Sequence, residues 1–241
     1  MLPALTREPI LIRECYACPT VFVEEIAMQL TLYYAPTTCA LVPFVTLTEA
    51  GAAFDVQNLN TRKGATRTPE YRRLNPKGKV PVLMIDGEPL TENVAIQIWI
   101  ARQFPQAQLL PADPWLQIKA ISLMAWCASG IHPHLTPNAR PERYCDLPGS
   151  EESVKRVANQ QLFDDFALAD TMLANRQWFF EHFTAPDAYF FWCFRRAVLF
   201  KLDLSRFTHC KAHYERMQTR PSVQKFLGYE KQVVEEFSKA A

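Results

Sequence analysis

The character of this 241-residue chain changes near residue 110. Before that point strand and helix signals alternate; after it only helical signals occur. The segment Leu30-Thr31-Leu32-Tyr33-Tyr34 reads as a strand, Ala35-Pro36-Thr37-Thr38 as a turn, and residues 40–51 as an amphipathic helix. A short strand is expected over 54–59, then a polar stretch over 60–68 with Arg62, Lys63 and Arg67, and a short helix over 69–74. Val80-Pro81 opens a further strand, Asp86-Gly87 marks a tight turn into its partner, and Thr91 is placed to N-cap a helix carrying Val94, Ala95, Ile98 and Ile100. The order βαβ then αββα predicts a mixed sheet with helices packed on it.

The second part reads as an all-helical bundle. Asp113 caps a helix over 115–132, with Pro114 in its first turn. A second helix starts at Ser150 with Glu151 and Glu152 facing the positive end of its dipole. Thr184-Ala185-Pro186-Asp187 resembles a capping box, and the run Ala188-Tyr189-Phe190-Phe191-Trp192-Cys193-Phe194 behind it is apolar nearly all round, hence buried. Trp115 and Trp126 are also read as core, and further helices are expected over 204–219 and 222–237. The domain limits are set at 28–108 and 109–241. Residues 1–27 read as a weakly ordered extension, and the first convincing strand begins just after Met28, a candidate start.

Composition narrows the function classes. A net charge of +1 leaves no electrostatic footprint for nucleic acid. No apolar run is long enough to span a membrane. The seven scattered cysteines suggest no disulfide framework, which fits a reducing cytoplasm. Cys15-Tyr16-Ala17-Cys18 has no second pair at zinc-ligand spacing, and His132 and His134 flank Pro133 two residues apart, so no metal site is read.

The candidate chemistry gathers in the first domain. Cys39 sits where a strand and turn meet a helix, facing the dipole and unpaired N–H groups that favour a thiolate. If the Val80-Pro81 bond is cis, the backbone of Val80 is free at the sheet edge to pair with an extended peptide. Glu92-Asn93 opens the next helix, where N–H groups can hold a carboxylate and Glu92 an ammonium group. A small peptide with its own thiol fits all three points. Cys127, Cys193 and Cys210 read as buried small hydrophobes. Arg62, Lys63, Arg67, Arg72 and Arg73 read as a solvated face, with Lys63 the best ligand contact among them.

These residues resemble the glutathione transferase family, most closely its bacterial beta class. Tyr33-Tyr34-Ala35-Pro36-Thr37-Thr38-Cys39-Ala40-Leu41 looks like the first strand and active-site turn, cysteine included. Asn75-Pro76-Lys77-Gly78-Lys79-Val80-Pro81-Val82-Leu83 looks like the cis-proline segment, and Leu90-Thr91-Glu92-Asn93-Val94-Ala95-Ile96 like the γ-glutamyl-binding helix start. Phe183-Thr184-Ala185-Pro186-Asp187-Ala188-Tyr189, Tyr214-Glu215-Arg216-Met217 and Arg220-Pro221-Ser222-Val223 match later helices, over about residues 29–230. The resemblance implies a thioredoxin-like N-terminal domain with a four-stranded mixed sheet, a helical C-terminal domain, glutathione as cosubstrate, a small hydrophobic electrophile, detoxification chemistry and a homodimer. It implies Cys39 and Tyr34 as catalytic, and Lys63, Lys79, Val80, Pro81, Glu92, Asn93 and His132 as glutathione-binding.

The chain departs from the family at several places. Asn93 stands where Ser or Gly is usual, Ala125 where an Asn often faces glutathione, Pro133 where a lysine commonly follows the histidine, and Thr61 and Gly64 near the glycyl end. Cys39 is a poor hydrogen-bond donor and a good nucleophile, so disulfide exchange is expected alongside a weaker conjugation. A disulfide reductase and a catalytically weak glutathione-binding or stress-interaction protein on the same fold are the alternatives. Pro43 is expected to make the start of the first helix irregular.

Overall fold

The computed structural model describes residues 28–239; the segment 1–27, with its C-x-x-C, lies outside the described residues. Four strands form one mixed sheet in the order β2-β1-β3-β4: β1 Leu30–Tyr34, β2 Asp55–Asn58, β3 Val82–Ile85 and β4 Glu88–Thr91. β1 pairs parallel with β2 and antiparallel with β3, Tyr33 lying opposite Val82, and β3 pairs antiparallel with β4, Val82 lying opposite Thr91. α1 Leu41–Glu49 and α3 Asn93–Gln103 are packed together, and α2 Pro69–Leu74 is the short helix between β2 and β3. This is the mixed sheet with packed helices that the alternating signals predict, in the four-stranded thioredoxin-like form that the family resemblance implies.

The entry into α1 is tight. Leu41 N–H bonds to Thr38 C=O at 3.2 Å and Val42 N–H to Cys39 C=O at 3.1 Å. α1 therefore begins two residues after Cys39. Pro43 falls in its first turn, where a missing N–H costs no intrahelical bond.

Among the described residues every regular element from α4 onward is helical: α4 Pro114–Trp126, α5 His132–Ala139, α6 Glu151–Met172, α7 Ala185–Leu199, α8 Thr208–Thr219 and α9 Pro221–Lys239, with a 3-10 turn at Pro141–Arg143 and irregular loops among the connections. Asp113 Oδ1 caps α4 by accepting from Leu116 N–H at 2.8 Å. The helix expected to stop at His132 does not stop. A π-helical turn at Cys127–Ile131 joins α4 to α5, and Pro133 sits in the first turn of α5, where it is tolerated. In that turn a Cβ at Gly130 would meet Trp126 Cδ1 at 2.6 Å, so only glycine fits against the indole.

The capping box at α7 is formed, with Thr184 N–H and Oγ1 donating to Asp187 Oδ2 at 2.8 and 2.9 Å. The other Asp187 oxygen accepts from Phe179 N–H at 3.1 Å and meets His213 Nε2 at 3.0 Å. The run Tyr189 to Phe194 is buried as its composition demands. Trp115 is not core: it is 64% exposed on α4, beside exposed Leu116 and Ile118.

The helical part grips the sheet domain through polar contacts as well as apolar ones. Arg220 makes a bidentate pair with Glu49 of α1, Nε to Oε1 at 3.0 Å and Nη2 to Oε2 at 2.7 Å, and its guanidinium lies 3.9 Å from the Phe183 ring centre. Tyr229 donates to Asn58 Oδ1 at 2.9 Å. Phe44 of α1 packs edge-on against Phe226 of α9.

Candidate functional site

The Val80–Pro81 bond is cis. Val80 precedes β3, an inner strand, so its backbone lies at the end of the sheet rather than along an edge. The Cys39 thiol donates to Val80 C=O at 3.7 Å. Asn93, at the first position of α3, donates from Nδ2 to Cys39 C=O at 2.9 Å. The Asn93 side chain is therefore occupied from inside the protein and buried, where the sequence alone pictured it facing a ligand. Its Oδ1 is buried with no hydrogen-bond partner among the described residues.

Burial decides the state of the thiol. Cys39 is only 7% exposed. Desolvation pushes its pKa up to about 12, against a smaller lowering by its own backbone N–H and the nearby Asn93 amide. Burial thus disfavours the thiolate expected at the head of a helix. The backbone N–H of Cys39 itself favours the anion, but desolvation by the apolar surroundings outweighs it.

Glu92 is exposed and adopts φ 71°, in the left-handed region that side chains disfavour. It, not Thr91, is the N-cap of α3. Its Oε1 meets Lys77 Nζ at 2.6 Å, and the same ammonium donates to Thr91 Oγ1 at 2.9 Å. Lys77 is a contact the sequence reading missed. Lys79 is exposed, and its backbone C=O accepts from Tyr71 Oη and Asn75 Nδ2, both at 2.7 Å.

Tyr34 is not brought to this group. Its hydroxyl is fully buried and donates to Glu230 Oε1 of α9 at 3.0 Å. Burial and the nearby carboxylate push its pKa well up, so it stays neutral. The same Glu230 oxygen accepts from Thr37 N–H at 2.7 Å, and its other oxygen pairs with Arg195 of α7. Thr37, at φ 63°, is held from both sides, because its C=O accepts from Trp192 Nε1 at 3.3 Å. Nothing short-range in the sequence signals this network, since Glu230 is 196 positions from Tyr34.

Known proteins resemble this chain in sequence and fold. A sequence model described as "Glutathione S-transferase, N-terminal domain" matches residues 28–102. The Escherichia coli O157:H7 protein "Glutathione S-transferase GstA" is 34% identical over 203 residues, covering 83% of this chain and 98% of that one. The chain belongs to the glutathione S-transferase family. Among solved structures, the bacterial beta class transferase of Sphingomonas chungbukensis is 32% identical with a TM-score of 0.73, over 83% of this chain and 98% of its own. A sphingomonad glutathione S-transferase complexed with glutathione is 27% identical, with the same TM-score of 0.73 and the same 83% and 98% coverage.

Beside Cys39 this transferase-family fold opens a cleft of about 1000 Å³ between its two parts. One wall carries Thr37, Thr38, Arg62 and Lys63; the other carries His132, Trp192, Arg196, Phe200 and residues of α9. The lining stops at Thr38 and includes neither Cys39, Val80, Glu92 nor Asn93. The expected residues thus form two adjacent sets: Cys39, Val80 and Asn93 knotted by hydrogen bonds, and Lys63 with His132 on the cleft. His132 stacks edge-on against Trp192, ring centres 4.4 Å apart. Desolvation, with help from Lys79 and Arg196, lowers its pKa to about 4, so the ring is neutral near pH 7. Ala125 is exposed on α4. No cluster of metal-ligating side chains occurs among the described residues, and no described helix is long and apolar enough to cross a membrane.

Proposed function

We propose that this chain is a cysteine-type glutathione transferase, akin to the bacterial beta class, that uses the thiolate of bound glutathione against small electrophiles. The observation that carries the reading is the Cys39 thiol set 3.7 Å from Val80 C=O, next to a large cleft between two domains. An extended peptide pairing with Val80 would bring its own sulfur toward Cys39. The sphingomonad relative complexed with glutathione supports this choice of peptide. Glu92 and Lys77 supply a carboxylate and an ammonium group for the γ-glutamyl end, and Lys63 a cation for the glycyl carboxylate.

Burial sets the role of Cys39. A thiol held neutral can turn its S–H from Val80 to a neighbouring sulfur anion, whereas a second thiolate there would repel it. Glutathione loses its thiol proton to solvent, its sulfur bonds to the electrophilic carbon, and the leaving group departs with its electron pair. The second reading is thiol–disulfide exchange, favoured by the cysteine itself. In it Cys39 attacks a disulfide sulfur, releases a thiolate, and a second glutathione frees Cys39. A high thiol pKa slows that attack and so favours conjugation over exchange, the opposite of the order expected from the sequence.

Two experiments separate these readings from an inactive binder. Retention on immobilised glutathione, and turnover of a chloronitroarene by wild type and Cys39→Ala, report binding and conjugation. A reducible glutathione adduct on Cys39, seen by mass spectrometry after glutathione disulfide, reports exchange. Failure of retention and of both activities removes the reading. A homodimer is proposed as well, supported by the exposed apolar side chains Trp115 and Ile118 on α4 and Leu168 and Met172 on α6. Sedimentation of the full chain tests it, and a monomer at micromolar concentration contradicts it.

A further inference from the structure

We infer that the cleft selects anionic electrophiles, and that Arg196 is the residue that does so. The inference rests on the proposed use of the cleft for a second substrate. Among the described residues the cleft lining contains four cationic side chains, Arg62, Lys63, Arg140 and Arg196, and no carboxylate, although Arg140 pairs with Glu142 beyond the lining at 3.8 Å. Arg62 and Lys63 stand on the wall of the sheet domain, beside the segment proposed to hold glutathione. Arg140 and Arg196 stand on the helical wall opposite.

Arg196 is the informative one. It is partly buried, and no Asp or Glu among the described residues lies within ion-pair distance of it. Its neighbour Arg195 pairs with Glu230, whose carboxylate favours the Arg196 charge only from a distance. What faces the Arg196 guanidinium is the Phe200 ring, 4.4 Å away, which stabilises a cation weakly compared with a carboxylate. A desolvated guanidinium without a counter-ion is costly. Burial and the adjacent Arg195 already disfavour its charge, lowering its pKa. An anion entering the cleft supplies the missing partner in a site that planar, bidentate carboxylates fit.

The part of the helical wall next to Arg196 is largely apolar and open: Leu199 and Val234 are 45% and 44% exposed, with Trp192, Phe200 and Phe237 in the same lining. Apolar surface around one unpaired cation matches an aromatic or unsaturated acid. With a chloroarene acid the group transfer is a substitution. The glutathione thiolate forms a carbon–sulfur bond, the carbon–chlorine bond breaks, and chloride leaves with the electron pair while the carboxylate stays on Arg196.

The test uses the full chain and two unreactive ligands that differ by one charge, 3,5-dinitrobenzoate and its methyl ester, titrated calorimetrically with and without glutathione. The acid is expected to bind about tenfold tighter than the ester, a preference that falls as salt is added. Arg196→Met should abolish that preference, and Arg196→Lys should keep part of it. The salt dependence in wild type decides the matter if Arg196→Met does not fold. Equal binding of acid and ester by wild type overturns the inference, and so does a preference that survives Arg196→Met. A loss of glutathione affinity in Arg196→Met with the benzoate preference intact would reassign the arginine to glutathione and also overturn it. Turnover of 4-chloro-3,5-dinitrobenzoate, compared with its ester, is read separately. If neither reacts while the acid still binds through Arg196, the transferase reading fails and the anion site stands.

Discussion

Tyr34 and Cys39 flank one turn, and the protein treats them in opposite ways. Tyr34 is closed off: its hydroxyl, the Thr37 N–H and the Arg195 guanidinium all converge on Glu230, a buried carboxylate delivered by the last helix. Cys39 is nearly as buried, but its partners are a backbone carbonyl at the end of β3 and the side chain of Asn93, and an open cleft begins one residue before it. The first arrangement bolts the helical part to the turn; the second leaves a weakly held thiol that a ligand can re-engage. Both lie on one short segment, so the rigidity of the Tyr34 end fixes where Cys39 stands.

The comparison is broken most severely at Glu230. Glu230→Ala leaves the buried Arg195 charge unpaired and two donors unmet, and is expected to cost roughly 3–5 kcal/mol of stability by urea denaturation. A loss under about 1 kcal/mol would show that the network is not a bolt.

At the other end, Cys39→Ala removes a donor to the proposed thiolate. Conjugation should fall about 10- to 100-fold in kcat/KM, with stability changed far less than by Glu230→Ala. Unchanged conjugation would assign sulfur activation to another group.

His132 adds a pH dependence on the cleft side. Its folded pKa, about 4, lies below the ordinary 6.5, so the unfolded chain binds the proton more readily between those values. Its contribution is fully present above about pH 6.5 and is lost as pH falls toward about 4, by roughly 2–3 kcal/mol. His132→Phe should flatten that part of the stability curve; an identical curve would refute the assignment.

Asn93→Ala is expected to cost about 1–2 kcal/mol and to raise the KM for glutathione a few-fold, by freeing the Cys39 carbonyl. Lys77→Ala is the mildest change. Its pair with Glu92 is exposed, so stability should move by less than about 1 kcal/mol, and glutathione affinity by more than stability implies if Glu92 is a ligand contact.

The sheet domain was legible because its signals are local. The strand and helix signals place the strands, and Asp86-Gly87 joins β3 to β4. The capping box at Thr184 and the burial behind it were legible for the same reason. Trp115 was misread because an aromatic near a helix start carries no sign of which face it occupies. The end of the helix at 132 was misplaced because a π turn lets the chain run through Pro133. Within the site, position along the chain picked out Cys39, Val80 and Asn93. The burial of the thiol was missed, because desolvation depends on distant elements such as α7, whose Tyr189 and Cys193 lie near it. Glu230, Arg195 and Arg196 were missed because their meaning lies in contacts across the whole chain. A pair of arginines at the end of an apolar run was the one available signal.

The central claim is that Cys39 is a buried thiol that meets the sulfur of glutathione. It is tested by the pH dependence of Cys39 alkylation, followed by peptide mass spectrometry with and without glutathione. The account predicts a rate that is slow at neutral pH, climbs without a plateau through pH 10, and is suppressed by glutathione. A plateau near neutral pH, or alkylation indifferent to glutathione, would contradict it.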